Sequence, residues 1–426
     1  MNWIFGVVII AILIKMAVQL ALEAMNRVWA IKHKDKLPEH LKGIVTPEAH
    51  AKSAEYTLEH NRLGGIEMIY GTFIKIGILS CGILPLIYNA TILKFGAGNF
   101  WAQALMMTLL SIAIGILFWP FDLIGTFGIE AKYGFNRQTP WLWISDELKG
   151  FALNIILTVP LMAAVLWMST GAIKNWWLWA FIVVMIYEII LTFIYPNFIE
   201  PLFNKFEPLK DGALKTRLEA LATRAGVNVE KILVMDASKR SAHANAYFAG
   251  LGGSRRIVLY DTLLKQLGDE EIEAVLAHEI GHMKHQHILR GMFVGGALQL
   301  LGFFLTNLII HWGAFYRAFG LAIEGGNAGA FLVLEIIGGV FVFWLTPVMS
   351  RWHRLHEYEA DAMAVKLVGS PMPLVLGLKK LTKESLASIE DHPASHAFYA
   401  GHPTVKEREE RMKSKSKRRL KLHPQV

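Results

Sequence analysis

Charged residues are scarce in this chain of 426 residues: they make up 18%, whereas hydrophobic residues make up 54%. An ordinary soluble domain does not need so many apolar residues, and here they come in long blocks, which indicates contact with lipid. Cysteine is almost absent as well. Because Cys81 is the single cysteine, an intrachain disulfide is excluded, and nothing in the sequence requires an oxidising compartment.

The chain also lacks a basic region suited to nucleic acid, although its formal net charge is +8. The Lys and Arg residues lie between apolar blocks and in the C-terminal stretch 413–421, without a basic domain interleaved with aromatic residues. Membrane topology explains this distribution more simply than a nucleic-acid surface does. The predicted partner is therefore the lipid bilayer, not nucleic acid.

Seven apolar stretches have about the length of 20 residues that a helix needs to cross a bilayer. The first carries Lys15 and lacks a basic segment before it and a clear cleavage site, so we expect it to remain in the protein. Lys and Arg are concentrated in alternate loops, which predicts an outside N-terminus and a cytoplasmic C-terminus. The predicted spans are 3–22, 67–93, 102–124, 151–171, 176–197, 288–311 and 328–349.

Lys15, Lys75, Glu188 and Glu335 lie at least seven residues from either end of their spans and favour a polar interior, although the lysines suit snorkelling near span ends. The one large polar insert, 199–287, predicts a helix over about 211–225 and then three short strands. The strands are predicted at Lys231–Met235, 244–249 and Arg256–Tyr260, with Gly250, Gly252 and Gly253 between the last two as a hairpin turn.

The run His278-Glu279-Ile280-Gly281-His282 follows these strands on a predicted helix. Residues four apart share one helix face about 6 Å apart along the axis, so both imidazoles can reach one ion. Two imidazoles, a carboxylate and an open fourth position suit zinc. Glu279 lies beside them as the general base for the attacking water.

A third ligand is needed, and the helical hairpin formed by the sixth and seventh spans points to one. About 30 residues separate the second histidine from the end of span six, and about 30 separate the start of span seven from Glu357. The return helix thus brings Glu357 or a neighbour level with the histidines. Glu359 faces elsewhere, and Asp361, one turn beyond, can orient a ligand histidine or donate a proton. His285 and His287 remain competing ligands.

Several longer motifs, in this order, resemble those of CaaX prenyl proteases of the a-factor-converting type, which are integral-membrane zinc metallopeptidases. The resemblance runs nearly end to end. The motifs are FGIEAKYGFN (127–136), PLFNKF (201–206), NAYF (245–248), RIVLYD (256–261), HEIGH (278–282), EYEAD (357–361) and HPTVKER (402–408).

The resemblance implies that Glu357 is the third ligand of a single zinc ion and that Asp361 belongs to the site. It also implies that His402 stabilises the oxyanion and that Arg408 supports it or binds a substrate carboxylate. Asn245, Ala246 and Tyr247 would form an edge strand that pairs with the substrate backbone; the alternative is a strand that only builds the sheet.

The predicted fold is an all-α polytopic membrane protein with about seven transmembrane helices, plus a small α+β zinc-protease domain on the cytoplasmic side. The resemblance implies that the helices form a chamber. Residues 1–205 form a membrane domain with five spans, and residues 206–426 form the peptidase domain with the last two spans and the basic tail. The location is the bacterial inner membrane or, in a eukaryote, the endoplasmic reticulum.

The predicted function is a zinc metalloendopeptidase acting on C-terminal CaaX-type or other membrane-associated peptides. One alternative is a membrane quality-control protease of the heat-shock metalloprotease type, but that family has fewer spans before its zinc motif. Another is a transporter or scaffold with a vestigial site, against which the intact base and ligands argue.

Overall fold

A computed structural model of the chain describes residues 2–249, 256–322 and 326–422, with side chains to residue 414. Long apolar helices dominate it, as the blocks of hydrophobic residues predict. The helices of the first half are α1 (Trp3–His33), α2 (Pro47–Ser80), α3 (Ile83–Phe95), α4 (Phe100–Ile116), α5 (Trp119–Leu123), α6 (Ala131–Tyr133), α7 (Pro140–Trp167) and α8 (Trp176–Ile194).

The number of membrane spans agrees with the prediction. Six helices of the described residues are long and apolar enough to cross a bilayer. The pair Phe100–Ile116 and Trp119–Tyr133, bent by 44°, passes the same test as one broken span and makes a seventh. The predicted class, a polytopic helical protein with about seven spans and a small α+β part, is therefore confirmed.

The predicted second span, 67–93, is wrong in its boundaries. Helix α2 begins twenty residues earlier, where the Thr46 hydroxyl accepts a hydrogen bond from the Ala49 amide at 3.2 Å. It ends at Ser80 because Gly82 takes a left-handed conformation with φ of 76° and starts the separate helix α3. Hydropathy alone detects neither the polar first turns of α2 nor this break. Helix α7 likewise begins at Pro140, eleven residues before the predicted 151, because its first turns contain charged residues and are not recognised as an apolar stretch.

The second half folds around a small four-stranded sheet and ends in helices that return to it. The strands are β1 (Phe206–Pro208), β2 (Lys231–Met235), β3 (Ala246–Ala249) and β4 (Arg256–Tyr260). The helices are α9 (Ala213–Arg224), α10 (Asp261–Gln266), α11 (Asp269–Lys284), α12 (His287–Ile309), α13 (Gly313–Ala318), α14 (Ala328–Val342), α15 (Thr346–Val368), α16 (Met372–Glu384), α17 (Pro393–Tyr399) and α18 (Val405–Leu422).

The sheet has the strand order β1-β2-β4-β3, with β2 parallel to β4 and the other two pairs antiparallel. The predicted helix and three predicted strands are present, although β3 begins at Ala246 rather than 244. Strand β1 escaped prediction because three residues that include Pro208 are too few for a strand pattern. The predicted hairpin strands β3 and β4 do pair, while its glycines Gly250, Gly252 and Gly253 lie outside the described residues.

Lys15, Lys75 and Glu335 line cavities inside the bundle, whereas Glu188 is exposed and accepts a hydrogen bond from Gln299 at 2.7 Å. Lys15, Glu67 and Lys75 line a cavity of about 280 Å³. Lys75 also lines a cavity of about 410 Å³ together with Glu335. Charges at this depth are costly unless they face such spaces, so Lys15, Lys75 and Glu335 fit the polar interior that the sequence favours.

Candidate metal centre

Helix α11 carries both candidate histidines on one face. Its first turn contains three acidic residues at the positive end of the helix dipole, and the Glu271 carboxylate accepts a hydrogen bond from the Gly268 amide at 2.9 Å. These features stabilise the start of the helix at Asp269. His278 and His282 then lie one turn apart, with their Nε2 atoms 3.1 Å from each other.

Helix α15 brings the candidate third ligand to the same point. A Cβ atom on Gly281 would lie 2.7 Å from the Ala360 Cα atom, so glycine at this position allows α11 and α15 to approach closely. Glu357 then faces both imidazoles: its Oε2 is 3.4 Å from His278 Nε2 and its Oε1 is 3.2 Å from His282 Nε2. The three ligand atoms lie within 4.8 Å of one another.

This donor set fits a divalent metal ion. The Glu357 Oε2 atom is buried and has no hydrogen-bond partner among the described residues, although nitrogens of His278, His402 and Arg408 approach it to within 3.4 Å. A buried carboxylate oxygen without a hydrogen bond is costly, and a cation between it and two converging imidazoles would satisfy it. Two nitrogens and one carboxylate with room for a fourth ligand are typical of catalytic zinc sites.

Glu279 lies between the two histidines in sequence and is partly buried. Burial raises the pKa of its carboxyl above the ordinary value, and it outweighs the opposite effect of His278 and His282. A divalent cation nearby would act in the same direction as the histidines. A carboxylate with a raised pKa next to a metal site is suited to take up a proton from water.

Asp361 and Arg408 form a buried pair behind His278. Asp361 Oδ1 lies 3.0 Å from His278 Nδ1, and the same carboxylate accepts two hydrogen bonds from Arg408 at 3.0 and 2.6 Å. Arg408 Nη1 is also 3.4 Å from Glu357 Oε2. The guanidinium is buried and faces the ligands, so the geometry favours a supporting position for Arg408 over direct contact with a substrate carboxylate.

His402 reaches the centre from the segment before α18. Its Nδ1 atom is 3.0 Å from Glu357 Oε2, while 76% of its side chain remains exposed. The imidazole therefore touches the candidate ligand on one side and solvent on the other. This is a suitable place for a donor to a reacting carbonyl oxygen.

The predicted substrate strand lies at the edge of the sheet next to α11. Tyr247 is anchored by its hydroxyl, which donates a hydrogen bond to the buried carboxylate of Glu200. The Asn245 side chain accepts a hydrogen bond from the Ala246 amide at 2.8 Å. Within the described part of the sheet, β3 pairs with β4 alone, so its other edge is available to an extended peptide.

His287, considered in the sequence as a competing ligand, lies outside the ligand set and behind His282. Its Nδ1 is 3.0 Å from His282 Nδ1, and its Nε2 is 2.9 Å from Glu359 Oε2. Gln286, with φ of 55°, turns the chain between α11 and α12 and places His287 there. No local pattern predicts this arrangement, because it depends on that turn. His285 only stacks on His287, with ring centroids 5.6 Å apart.

Comparison with known families and structures covers nearly the whole chain. Residues 27–205 match the family described as CAAX prenyl protease N-terminal, five membrane helices, and residues 208–416 match Peptidase family M48. CAAX prenyl protease 1 of Saccharomyces cerevisiae is 34% identical over 398 residues, which cover 88% of this chain and 87% of the relative.

The Arabidopsis thaliana CAAX prenyl protease 1 homolog is 33% identical over 390 residues, covering 87% of this chain and 89% of the relative. The crystal structure of Ste24p from S. mikatae superimposes with a TM-score of 0.87 at 30% identity. It covers 97% of this chain and 99% of the crystallised one.

Proposed function

The chain belongs to the CAAX prenyl protease 1 family of membrane zinc metallopeptidases, and we propose that it cleaves peptide bonds at one zinc ion held by His278, His282 and Glu357. The observation that supports this site is the convergence of three ligand atoms within 4.8 Å of one another. Glu279 is adjacent, and a buried carboxylate oxygen of Glu357 has no hydrogen-bond partner among the described residues.

Glu279 acts as the general base in this proposal. When bound, zinc would polarise the scissile carbonyl and make water easier to deprotonate. Glu279 takes the proton from the attacking water and delivers it to the leaving amine. The exposed imidazole of His402 donates to the developing oxyanion. Arg408 holds Asp361, and Asp361 orients His278; both oxygens of Asp361 are engaged, which favours orientation over proton donation.

The proposed substrates are C-terminal CaaX-type peptides or other membrane-associated peptides. An extended peptide would add to the free edge of β3, so that Asn245, Ala246 and Tyr247 fix its backbone beside α11. The names of the relatives point to prenylated CAAX substrates. The candidate span His287–Ile309 follows α11 directly, and the candidate span Ala328–Val368 includes α15, so the site suits a substrate that arrives in the bilayer.

We further propose that the protein divides at about residue 205 and that the peptidase part and the C-terminus face the cytoplasm, with the N-terminus outside. The first family match ends at residue 205, and the second begins at residue 208. Lys and Arg in the polar segments favour this orientation. The membrane is then the bacterial inner membrane or the endoplasmic reticulum, according to the source of the protein.

The decisive experiment compares purified wild-type protein with Glu279→Gln in peptide cleavage, with zinc content measured for both. We expect cleavage to fall by about 10³-fold or more with zinc retained, since the base is lost and the ligands are not. Glu270→Gln is the matched control, because Glu270 lies on the same helix with 71% of its side chain exposed. Wild-type cleavage by Glu279→Gln would remove Glu279 from this role.

Substrate class is tested with the same preparation. Farnesylated and unfarnesylated peptides that end in a CaaX sequence are compared at equal concentration. Faster cleavage of the farnesylated peptide is expected. Equal cleavage of both, together with cleavage of unfolded membrane proteins, would instead favour the quality-control alternative.

A further inference from the structure

Glu130 joins a membrane-spanning segment to the peptidase domain, and the proposed mechanism does not use it. It belongs to the FGIEAKYGFN motif at the end of the bent fourth and fifth helices. Its Oε1 accepts hydrogen bonds from the Tyr56 hydroxyl at 2.6 Å and from His60 Nε2 at 2.9 Å. Both donors lie on α2. Its Oε2 lies 3.3 Å from Nε2 of His243, in the peptidase domain. One carboxylate thus connects its own segment with helix α2 of the membrane domain and with one residue, His243, of the peptidase domain.

His243 is fixed by further contacts on both sides. Its ring stacks on Phe135, with centroids 4.4 Å apart and planes 23° apart. The Ala242 amide donates to the Phe135 carbonyl at 2.9 Å, and the His243 carbonyl accepts from the Thr262 hydroxyl at 2.9 Å. The short segment 241–245 is therefore clamped between the membrane domain and the start of α10.

This segment leads directly into the proposed substrate strand. Asn245 follows His243 by two residues, and β3 starts at Ala246. On its inner side the strand is fixed by β4, and the Asn245 carbonyl accepts a hydrogen bond from the Tyr260 amide at 3.0 Å. At its N-terminal end the position is set by the clamped segment. A displacement of His243 would therefore shift the end of the strand at which a substrate backbone would pair.

We propose that Glu130 is a positioning residue for substrate binding, which acts through His243 to hold segment 241–245 and the N-terminal end of β3. The inference rests on the proposed function, since it requires that β3 receives the substrate. It adds a specific role for the membrane domain: the bent segment that carries Glu130 aligns the edge strand of the peptidase domain. Neither residue contacts the proposed metal ligands among the contacts of the described residues.

The test measures kcat and KM for peptide cleavage by the full chain, together with zinc content. For Glu130→Ala we expect KM to rise about tenfold, the size of one lost hydrogen bond to a charged group, with kcat within about threefold of wild type. Zinc content should not change. Glu130→Gln, which keeps a hydrogen-bonding group of the same shape, should recover most of the loss. A purely structural role would lower kcat, zinc content and yield together.

Glu59→Ala is the matched control. Glu59 lies on α2 near Glu130, and its hydrogen bonds within the described residues go to Lys132 and Tyr133, not to segment 241–245. We expect a wild-type KM for this variant. His243→Ala, at a position with 41% of the side chain exposed, should reproduce the rise in KM even if Glu130→Ala fails to fold. The double variant should be no worse than the worse single variant, because both act through one contact.

Three results would overturn the inference: a KM within twofold of wild type in both Glu130→Ala and His243→Ala, an equal rise in Glu59→Ala, or multiplying effects in the double variant. Glu279→Gln is assayed in parallel. If it is inactive while the Glu130 and His243 variants keep a normal KM, only this inference fails. If it cleaves as wild type does, the proposed function itself fails.

Discussion

His278 and His282 lie one turn apart on α11, yet their outer ring nitrogens meet different partners. His278 Nδ1 faces Oδ1 of the Asp361 carboxylate at 3.0 Å, and Arg408 Nη2 donates to the same oxygen at 2.6 Å while lying 3.3 Å from His278 Nδ1. His282 Nδ1 faces a second imidazole, that of His287, at 3.0 Å. His287 in turn contacts Glu359, whose side chain is 43% exposed to solvent.

The groups behind His278 and those behind His282 therefore differ in charge and in exposure to solvent. A buried ion pair interacts strongly, and removing one partner leaves an uncompensated charge. A neutral imidazole gives a weaker hydrogen bond, and an exposed carboxylate behind it is screened by water and salt. We infer that His278 is held by electrostatics and His282 mainly by geometry. Metal affinity should then depend more on the first side than on the second.

Removing the proposed ligand that faces both histidines should have the largest effect. Glu357→Ala deletes the carboxylate that faces both imidazoles. We expect loss of stoichiometric zinc and a fall in cleavage of about 10³-fold or more, since the metal supplies most of the chemistry. Zinc content by atomic absorption and peptide cleavage measure this. Lys366→Gln, at an exposed position of the same helix, is the control and should stay near wild type. Full zinc occupancy in Glu357→Ala would refute the ligand assignment.

The second largest effect should come from Asp361, which lies behind His278. Asp361→Asn keeps an oxygen for His278 but removes the charge that Arg408 faces. We expect zinc affinity to fall about 10- to 100-fold, as for other partners of ligand histidines. The free energy of unfolding should fall by at most about 3–5 kcal/mol, because buried Arg408 loses one of its two acidic partners and keeps only Glu357. Competition with a chelator and thermal unfolding measure the two effects. An unchanged zinc affinity would mean that helix packing alone orients His278.

Removing His287, which lies behind His282, should lower zinc affinity less. His287→Ala removes the imidazole behind His282, and we expect zinc affinity to fall by about tenfold at most. The chelator competition used for Asp361→Asn gives the direct comparison. His285→Ala is the matched control, since His285 stacks on His287 without a hydrogen bond to His282. A loss larger than that of Asp361→Asn would reverse the proposed order of the two sides.

Much of the centre follows from local sequence. Spacing by four on a helix brings His278 and His282 to one face whatever surrounds them. The equal legs of the hairpin predict that the return helix arrives near them, and Glu357 does so. The turn at Gln286 separates α11 from α12, however, and α11 packs against α15 instead of continuing into the sixth span. Glu357 comes close to both histidines because the close approach at Gly281 brings the two helices together, and its role as third ligand stays a prediction.

Other features were beyond the reach of sequence patterns. The extent of α2 depends on the Thr46 cap and on the left-handed Gly82, which hydropathy does not detect. The position of His287 depends on one residue with a positive φ. The contact of Glu130 with His243 joins residues 113 positions apart, so neither residue carries a local signal.

The sequence by itself determined the number of helices that can span a membrane, the pair of histidines with their acidic neighbour, and the class of metal that such donors suit. Each of these depends on residue type and on a short helical or strand period, which local chemistry sets. Only the tertiary structure decided which side chain stands behind each histidine, that Arg408 is buried, and that Glu130 contacts His243 just before strand β3. Those contacts join distant segments whose approach depends on helix packing, and no local period encodes that packing.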